Sequence, residues 1–188
     1  HNLVAVDGPK RQATFAVTAP DGSSSMVTRG FDMLHVTPPQ SAPDFIKSSP
    51  LVNTAGWLDV DATTLRHARF DTVFGLGDVI GTSNAKTAAA ARAQAPVVVE
   101  NLLASLDGRP LAGAYDGYGA CPLTVSYGRV VLAEFLYGGV PAPSFHYDQR
   151  KPSRFAWILK TKVFPQLYWN MMLTGRDVHL PPQPITDP

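Results

Sequence analysis

The sequence predicts a mixed α/β fold, and three features indicate this class. Short strands alternate with turns over residues 2–36. An apolar segment, residues 73–76, ends in Gly-Asp and is followed by a helical pattern over residues 85–106. Two further strands and an aromatic, helical end complete the chain. Strands that alternate with a long helix are typical of α/β proteins.

Composition excludes several classes of protein. The 188 residues suffice for one domain or parts of two. The chain is 45% hydrophobic and 16% charged, with a net charge of +1. A disordered chain and a polyanion binder that depends on bulk charge are thereby excluded, so we expect no nucleic-acid partner. The chain has no initiator methionine, and residues 1–6 already read as a strand, so we expect a piece of a longer protein.

The first stretch predicts a β-meander that ends at two prolines. Prolines cannot donate to a strand ladder, so the last strand stops at Thr37-Pro38-Pro39. The predicted strands are Asn2–Val6, Ala13–Thr18, Met26–Thr28 and Met33–Val36.

The strand–Gly-Asp–helix unit is the first candidate site. Val73–Leu76 predicts a buried parallel strand, and such strands present ligand-binding residues such as Asp78 at their carboxyl ends. The next helix carries Lys86 and Thr87 in its first turn, where free N–H groups favour an anionic or electron-rich group. Spacing alone leaves open that Asp78 caps a turn and Lys86 is solvated.

The long helix is predicted to run from Ala85 to Leu106, with Ser83 or Asn84 as its N-cap. Pro96 should kink it. Its apolar positions predict one buried face, formed by Ala95, Val98, Val99, Leu102 and Leu106.

Cys121 is the second candidate, because it follows two glycines and precedes a predicted strand, Leu123–Tyr127. A further predicted strand, Val130–Phe135, follows after Tyr127-Gly128-Arg129. One thiol cannot form a disulfide framework or a cysteine zinc site within the chain. The thiol could be a nucleophile or redox group, or an inert buried residue.

The carboxyl end is the third candidate. Six basic residues and no acid lie between Arg150 and Arg176. They flank an aromatic surface, which is typical of a helix in a membrane interface, although a helical hairpin packed on its own domain has the same pattern.

The histidines predict no metal site, since none has metal-ligand spacing with another ligand. We expect His35 to be a satisfied core residue. Glu134 interrupts an apolar strand, and its expected partner is a base such as Arg129.

Several segments resemble the carboxyl-terminal half of the sulfide:quinone oxidoreductase family. The general ones are Leu34–Pro39, Gly56–Asp61, Val73–Asp78 and Ala85–Ala90. The specific ones are similar to the branch that includes the mitochondrial enzyme, namely Tyr115–Tyr118 with Cys121–Leu123, Ala133–Phe135 and Tyr168–Leu173. The resemblance covers roughly residues 1–176 and implies sulfide oxidation at a cysteine pair, with electrons passing through FAD to a quinone.

The resemblance also implies roles for individual residues. Cys121 would be the carboxyl-terminal cysteine of the redox pair and would carry sulfane sulfur. Asp78 would bond the ribityl chain of FAD, and the helix from Lys86 and Thr87 would point at the flavin pyrimidine ring. The implied FAD contacts are Pro38, Pro39, Gly77, Asp78, Lys86 and Thr87. The implied quinone and membrane contacts are Phe155, Trp157, Phe164, Tyr168 and Trp169.

The implied architecture is two Rossmann-like domains with a membrane-associating end. Residues 1–55 would end the second Rossmann-like domain, 56–114 would return into the FAD domain, and 115–188 would hold the cysteine, quinone site and amphipathic helices. Implied partners are sulfide, quinone, a membrane surface, the missing amino-terminal half and possibly a second copy. The expected location is the periphery of the bacterial cytoplasmic or mitochondrial inner membrane.

The sequence departs from the family pattern in two ways. The Gly-rich ADP-binding fingerprint and the partner cysteine are absent from this chain. We therefore expect the chain alone not to catalyse sulfide-dependent quinone reduction. Related alternatives are a type II NADH:quinone oxidoreductase and a flavocytochrome c sulfide dehydrogenase; a different one is a non-catalytic membrane-associating module.

Overall fold

A computed structural model describes residues 1–37, 39–176 and 182–185. The chain divides into two compact units, His1–Gln40 and Ser41–Pro188. Both helices and strands are present, so the predicted mixed class is confirmed. Pro38, an expected FAD contact, lies outside the described residues.

The first unit is an antiparallel sheet in the order β1-β2-β3. The strands β1 (Asn2–Asp7), β2 (Gln12–Thr18) and β3 (Ser24–Gly30) confirm the predicted meander. The expected fourth strand, Met33–Val36, is wrong, because this segment pairs with no described strand and Met33 is 87% exposed. His35 and Pro39 are also exposed, so His35 is not the predicted core residue.

The second unit has its main core around a long helix. Helix α1 (Asp44–Lys47) is short. Helix α2 (Ala88–Leu106) is the long helix that the sequence pattern predicts. The buried core consists of Ala42, Ile46, Leu58, Leu65, Ile80, Val97 and Tyr115.

The predicted buried parallel strand Val73–Leu76 is not a strand. Phe74 makes a single antiparallel bridge to Arg66, and a strand requires neighbours along its length. The segment is apolar because it packs closely on the core: a Cβ at Gly75 would lie 2.2 Å from Leu58 Cδ2. After residue 76 the chain enters a 3₁₀ turn, Gly77–Val79, which carries Asp78.

Helix α2 buries a different face from the one that its apolar residues predict. Its buried residues recur at helical spacing, and they are Ala90, Gln94, Val97, Asn101 and Ala104. By contrast, Val99 and Leu106 on the predicted face are 55% and 75% exposed. Two polar side chains thus replace larger apolar ones at the core, because each has partners there.

Asn101 joins three segments of the second unit. Its Nδ2 donates to the carbonyls of Thr64 and Gly113 at 2.9 and 2.8 Å. Its Oδ1 accepts from the N–H groups of Ala112 and Gly113 at 3.1 and 2.9 Å. All of its hydrogen-bonding capacity is therefore used in a fully buried position.

The two predicted strands are confirmed as β5 (Gly119–Ser126) and β6 (Arg129–Phe135), and the structure shows that they pair as an antiparallel hairpin. A shorter pair consists of β4 (Gly113–Ala114) and β7 (Gln183–Pro184). Strand β5 begins earlier than the sequence predicts and includes Cys121 and Pro122. Pro122 is tolerated because it is paired with Leu132 at a position whose backbone groups point away from β6.

The carboxyl region is helical, as predicted. It consists of α3 (Arg154–Ile158), a π-helical turn (Leu159–Val163) and α4 (Phe164–Asn170). Pro165 lies in the first turn of α4, and its missing N–H accounts for the wider turn before it. Ala156 of α3 packs on β6 in a second small core. Within the described residues, no helix combines the length and apolarity needed to cross a membrane.

Replacing Asn101 with Leu should lower the free energy of unfolding by about 3 kcal/mol or more, since the buried N–H and C=O of Gly113, the Thr64 carbonyl and the Ala112 N–H all lose their partner. Urea unfolding of the chain measures this change. The control is Asn170→Leu at the exposed end of α4, where about 0.5 kcal/mol or less is expected. Equal effects for the two variants would contradict the role of Asn101.

Candidate functional site

The start of α2 is the first part of the candidate site. Thr87 is its N-cap, and the Thr87 side chain accepts from the N–H of Ala90 at 3.2 Å. The predicted caps Ser83 and Asn84 are wrong, because the helix starts later than expected. A helix of 19 residues presents free N–H groups and partial positive charge at this end.

The Gly77–Asp78 turn is held to α2 by a buried amide. The Gly77 N–H donates to Gln94 Oε1 at 2.7 Å, and Gln94 is fully buried. Gly77 has φ +74°, a conformation that favours glycine. Asp78 follows with its side chain exposed, so the carboxylate is available to a ligand.

Lys86 does not extend into solvent. Its Nζ donates to the Ile80 carbonyl at 2.7 Å and lies 4.3 Å from the centroid of the Trp57 ring. Burial lowers the pKa of Lys86, and the charge of Asp78 partly offsets this. The alternative of a solvated Lys86 is therefore wrong; the side chain connects the loop before α2 to the core.

The strand that carries Cys121 begins against the start of α2. A Cβ at Gly119 would lie 3.7 Å from both Thr87 Oγ1 and Ala85 Cβ, which is ordinary van der Waals contact, and 3.2 Å from Phe135 Cε2, which is tight. Side chains alternate along a strand, so the Cys121 side chain lies on the face of the hairpin where a side chain at position 119 would lie. This face meets the start of α2. Cys121 is paired with Ala133, is partly exposed and is unpaired as a thiol.

The loop before β5 is fixed by aromatic residues. Gly117 has φ +87°, and a Cβ there would lie 2.3 Å from Tyr137 Cγ. Tyr137 N–H donates to the Asp116 carbonyl at 3.1 Å, and Tyr115 Oη donates to the Tyr118 carbonyl at 2.6 Å. The position of β5 therefore depends on close packing that only glycine permits at residue 117.

Glu134 fixes the opposite face of the same hairpin. It is 8% exposed and lies opposite Ala120. Tyr118 Oη donates to Oε1 at 2.5 Å, and Ser144 donates through its hydroxyl at 2.6 Å and its N–H at 3.0 Å. These donors, not the expected Arg129, are its partners in the described part of the chain. Burial opposes ionisation, but the hydrogen bonds outweigh it and hold the pKa of Glu134 below its usual value. Burial and the bond to Glu134 raise the pKa of Tyr118 to about 12.

The carboxyl helices present an apolar surface with mixed exposure. Phe155, Tyr168 and Trp169 are 48%, 45% and 64% exposed, whereas Trp157 and Phe164 are half-buried. The Trp157 ring packs against Tyr127 at 5.4 Å.

Positive charge on this surface is partly neutralised. Arg150 and Lys151 contact Asp148 at 2.9 and 3.5 Å, just before the acid-free stretch. Lys160 Nζ donates to the Pro122 carbonyl at 2.8 Å and to Thr124 Oγ1 at 2.9 Å. Lys160 therefore connects the carboxyl helices to the strand of Cys121.

The structure thus brings together part of the predicted site. Gly77, Asp78 and Lys86 surround the loop before α2, and Thr87 lies beside the start of β5. Sequence reasoning missed Gln94, which positions the Gly77 turn, and Tyr118, which binds Glu134. The spacing of Gln94 and Asn101 by seven residues, two helical turns, is a signal that could have identified them. Within the described residues, no cluster of three metal-binding side chains occurs.

Replacing Glu134 with Gln should make stability less dependent on pH. Because the folded-state pKa is lowered, ionised Glu134 contributes stability that is present above its unfolded value of about 4.3 and is lost as the pH falls through the folded value. The difference in unfolding free energy between the native chain and Glu134→Gln should therefore shrink below about pH 4. Urea unfolding from pH 7 to 3.5 measures it, with Glu100→Gln as the control. A difference that stays constant with pH would contradict this role.

No family model matches the chain. The chain is 42% identical over 175 residues to the mitochondrial sulfide:quinone oxidoreductase of Mus musculus, covering 93% of this chain and 38% of the relative. It is 45% identical to that of Dictyostelium discoideum, covering 94% of this chain and 38% of the relative. It is 42% identical to that of Schizosaccharomyces pombe, covering 89% of this chain and 37% of the relative.

Among solved structures, the chain is similar to one in the cryo-EM structure of the Tetrahymena thermophila mitochondrial ATP synthase. The TM-score is 0.65 at 27% identity, covering 93% of this chain and 40% of that one. The chain spans less than two fifths of the length of the curated relatives above. Nearly all of this chain is therefore related to one part of the sulfide:quinone oxidoreductases, and its resemblance to that family is confirmed.

Proposed function

We propose that this chain forms the carboxyl-terminal part of an FAD-dependent sulfide:quinone oxidoreductase. The observation that carries this proposal is the position of Cys121 on the face of the hairpin that meets the start of α2 at Gly119. A thiol and the positive end of a long helix thus lie on one side of the fold. The relatives named for this activity support the substrate class.

The residues around α2 fit FAD. The free N–H groups of the first turn suit an electron-rich flavin ring edge, and the exposed carboxylate of Asp78 can accept from ribityl hydroxyls. Gly77 keeps the backbone close, since its N–H is fixed by Gln94. Lys86 stabilises the loop through Ile80 and Trp57, so its part in this site is to hold the loop. FAD, when bound, supplies a two-electron acceptor that can pass electrons to a quinone.

Cys121 performs the thiol chemistry in this proposal. Hydrosulfide attacks a disulfide between Cys121 and a cysteine of the polypeptide outside this chain. The original S–S bond breaks, one cysteine leaves as a thiolate, and the other retains the added sulfur as a persulfide. The two electrons that sulfide gives up then reside on the released cysteine thiolate, and FAD, if bound, would supply their acceptor.

The carboxyl helices supply a membrane and quinone surface in this proposal. Phe155, Tyr168 and Trp169 are exposed beside basic residues, and aromatic side chains of this kind favour the membrane interface. The protein would then associate with the surface of the mitochondrial inner membrane, since the relatives are named mitochondrial.

In a longer protein that contains this chain, Cys121→Ser should abolish sulfide-dependent quinone reduction while FAD stays bound, because the sulfur carrier is lost. Asp78→Ala should instead lower the FAD content of the purified protein. Turnover and flavin absorbance measure the two effects, and each variant controls for the other. Normal sulfide turnover in Cys121→Ser would refute the thiol mechanism, and NADH-driven quinone reduction independent of this thiol would favour a type II NADH:quinone oxidoreductase.

Membrane association can be tested with substitutions on the exposed surface. Trp169→Ser with Leu173→Ser should reduce co-sedimentation with anionic phospholipid vesicles at least about tenfold, because two side chains that are 64% and 57% exposed lose their apolar area. Phe45→Ser is the control, since Phe45 is 70% exposed on α1 and is not part of the carboxyl helices. Unchanged binding of the double variant would exclude this surface.

A second candidate is a non-catalytic subunit of a membrane-bound assembly. The similarity to a chain in a mitochondrial ATP synthase structure favours it. Two results together would support this second function. The Cys121→Ser protein would be incorporated stably into a large complex, and the native protein would show no sulfide turnover.

A further inference from the structure

The free edge of β6 has a gap in its hydrogen bonding. Val130 exchanges backbone hydrogen bonds with Ser153 at 2.8 and 3.2 Å, and the Glu134 carbonyl accepts from the N–H of Ala142 at 3.0 Å. Backbone groups of alternate residues point to the same edge of a strand, so those of Leu132 point there too. Across the described part of the chain, no group pairs with the Leu132 N–H or C=O.

This gap opens on a groove of about 760 Å³. Residues 131–135 of β6 line one side, and Pro141, Pro143, Tyr147 and Gln149 line the other. Gln149 is only 7% exposed, and its Nε2 has no hydrogen-bond partner. The buried Tyr147 Oη also has none. Four polar groups without a protein partner therefore face one groove, and such groups are costly unless a ligand or water satisfies them.

The groove favours a neutral ligand. Its one buried carboxylate, on Glu134, already accepts three hydrogen bonds from Tyr118 and Ser144. At the rim, Arg150 and Asp148 form an ion pair at 2.9 Å. An ammonium or a phosphate would therefore find no free charge of opposite sign among these residues.

We propose that this groove binds a short extended peptide segment, one residue of which pairs with Leu132. The N–H and C=O of an extended residue satisfy the Leu132 C=O and N–H together, as in a strand ladder. The next carbonyl can accept from Gln149 Nε2, and the proline rings offer an apolar wall to a side chain. The segment must be short, because Ser153 and Ala142 already occupy the edge on both sides. The proposal does not depend on the redox function.

The test is titration of the isotope-labelled chain with N-acetyl-valine-N′-methylamide, followed by the amide proton shift of Leu132. We expect a downfield shift that saturates. N-acetyl-N-methylvaline-N′-methylamide, which lacks the valine N–H that would donate to the Leu132 C=O, should bind more weakly. No shift at Leu132, or equal binding of the two amides, would overturn the proposal and leave a groove that holds only ordered water.

Two variants and one control localise the binding. Gln149→Leu should weaken binding by roughly 3- to 10-fold, which is the loss of one neutral hydrogen bond. Tyr147→Phe gives a second variant that preserves the ring, and Tyr127→Phe on the hairpin turn should change nothing. Equal affinity in all three proteins would place the ligand elsewhere. The proposed occupant is a separate peptide, so the probe should still shift the Leu132 amide in a longer protein. A protected Leu132 amide that ignores the probe would mean that a segment of the same polypeptide fills the gap, and this result would overturn the proposal.

Discussion

The orientation of α2 depends on two buried amides, and the candidate site depends on that orientation. Gln94 accepts from the Gly77 N–H, and Asn101 binds two backbone segments, at Thr64 and at Ala112–Gly113. A buried amide that loses its partners is costly, so rotation of the helix about its axis is opposed by several hydrogen bonds. The same bonds direct the first turn of α2 toward the start of β5 and keep the Gly77–Asp78 turn beside it.

This orientation leaves an apolar face of α2 uncovered in the chain. Leu103 and Leu106 are 51% and 75% exposed, although leucine is among the residues most often buried. The hydrophobic effect alone would turn this face inward. The buried face instead carries Asn101, all of whose hydrogen bonds are made, and Gln94, whose Oε1 binds the Gly77 N–H although its Nε2 has no partner in the described part of the chain. Hydrogen bonding to backbone segments therefore contributes to the choice of buried face, alongside apolar area.

The sequence predicted local elements better than their packing. The meander, the two strands of the hairpin and the helical end were predictable, because turns, alternation and helical spacing are local signals. The strand at Val73–Leu76 was wrong because an apolar run does not reveal whether neighbouring strands exist. The buried face of α2 was wrong because Gln94 and Asn101 read as solvent-facing until their backbone partners are known. The roles of Gly117 and Glu134 depend on Tyr137 and Tyr118, contacts that no spacing in the sequence predicts.

The two faces of the β5–β6 hairpin lie in different environments. On one face, Glu134 and the second core hold β5 and β6 to α3 and to the loop at Ser144. On the other face, Cys121 lies between Gly119, which meets α2, and Leu123, which is 47% exposed. A rigid anchored face behind an accessible thiol is the arrangement that thiol exchange requires, because attack on a sulfur–sulfur bond needs access and a fixed approach. The packing that confines the strand and the exposure that leaves the thiol accessible therefore follow from the same alternation of side chains.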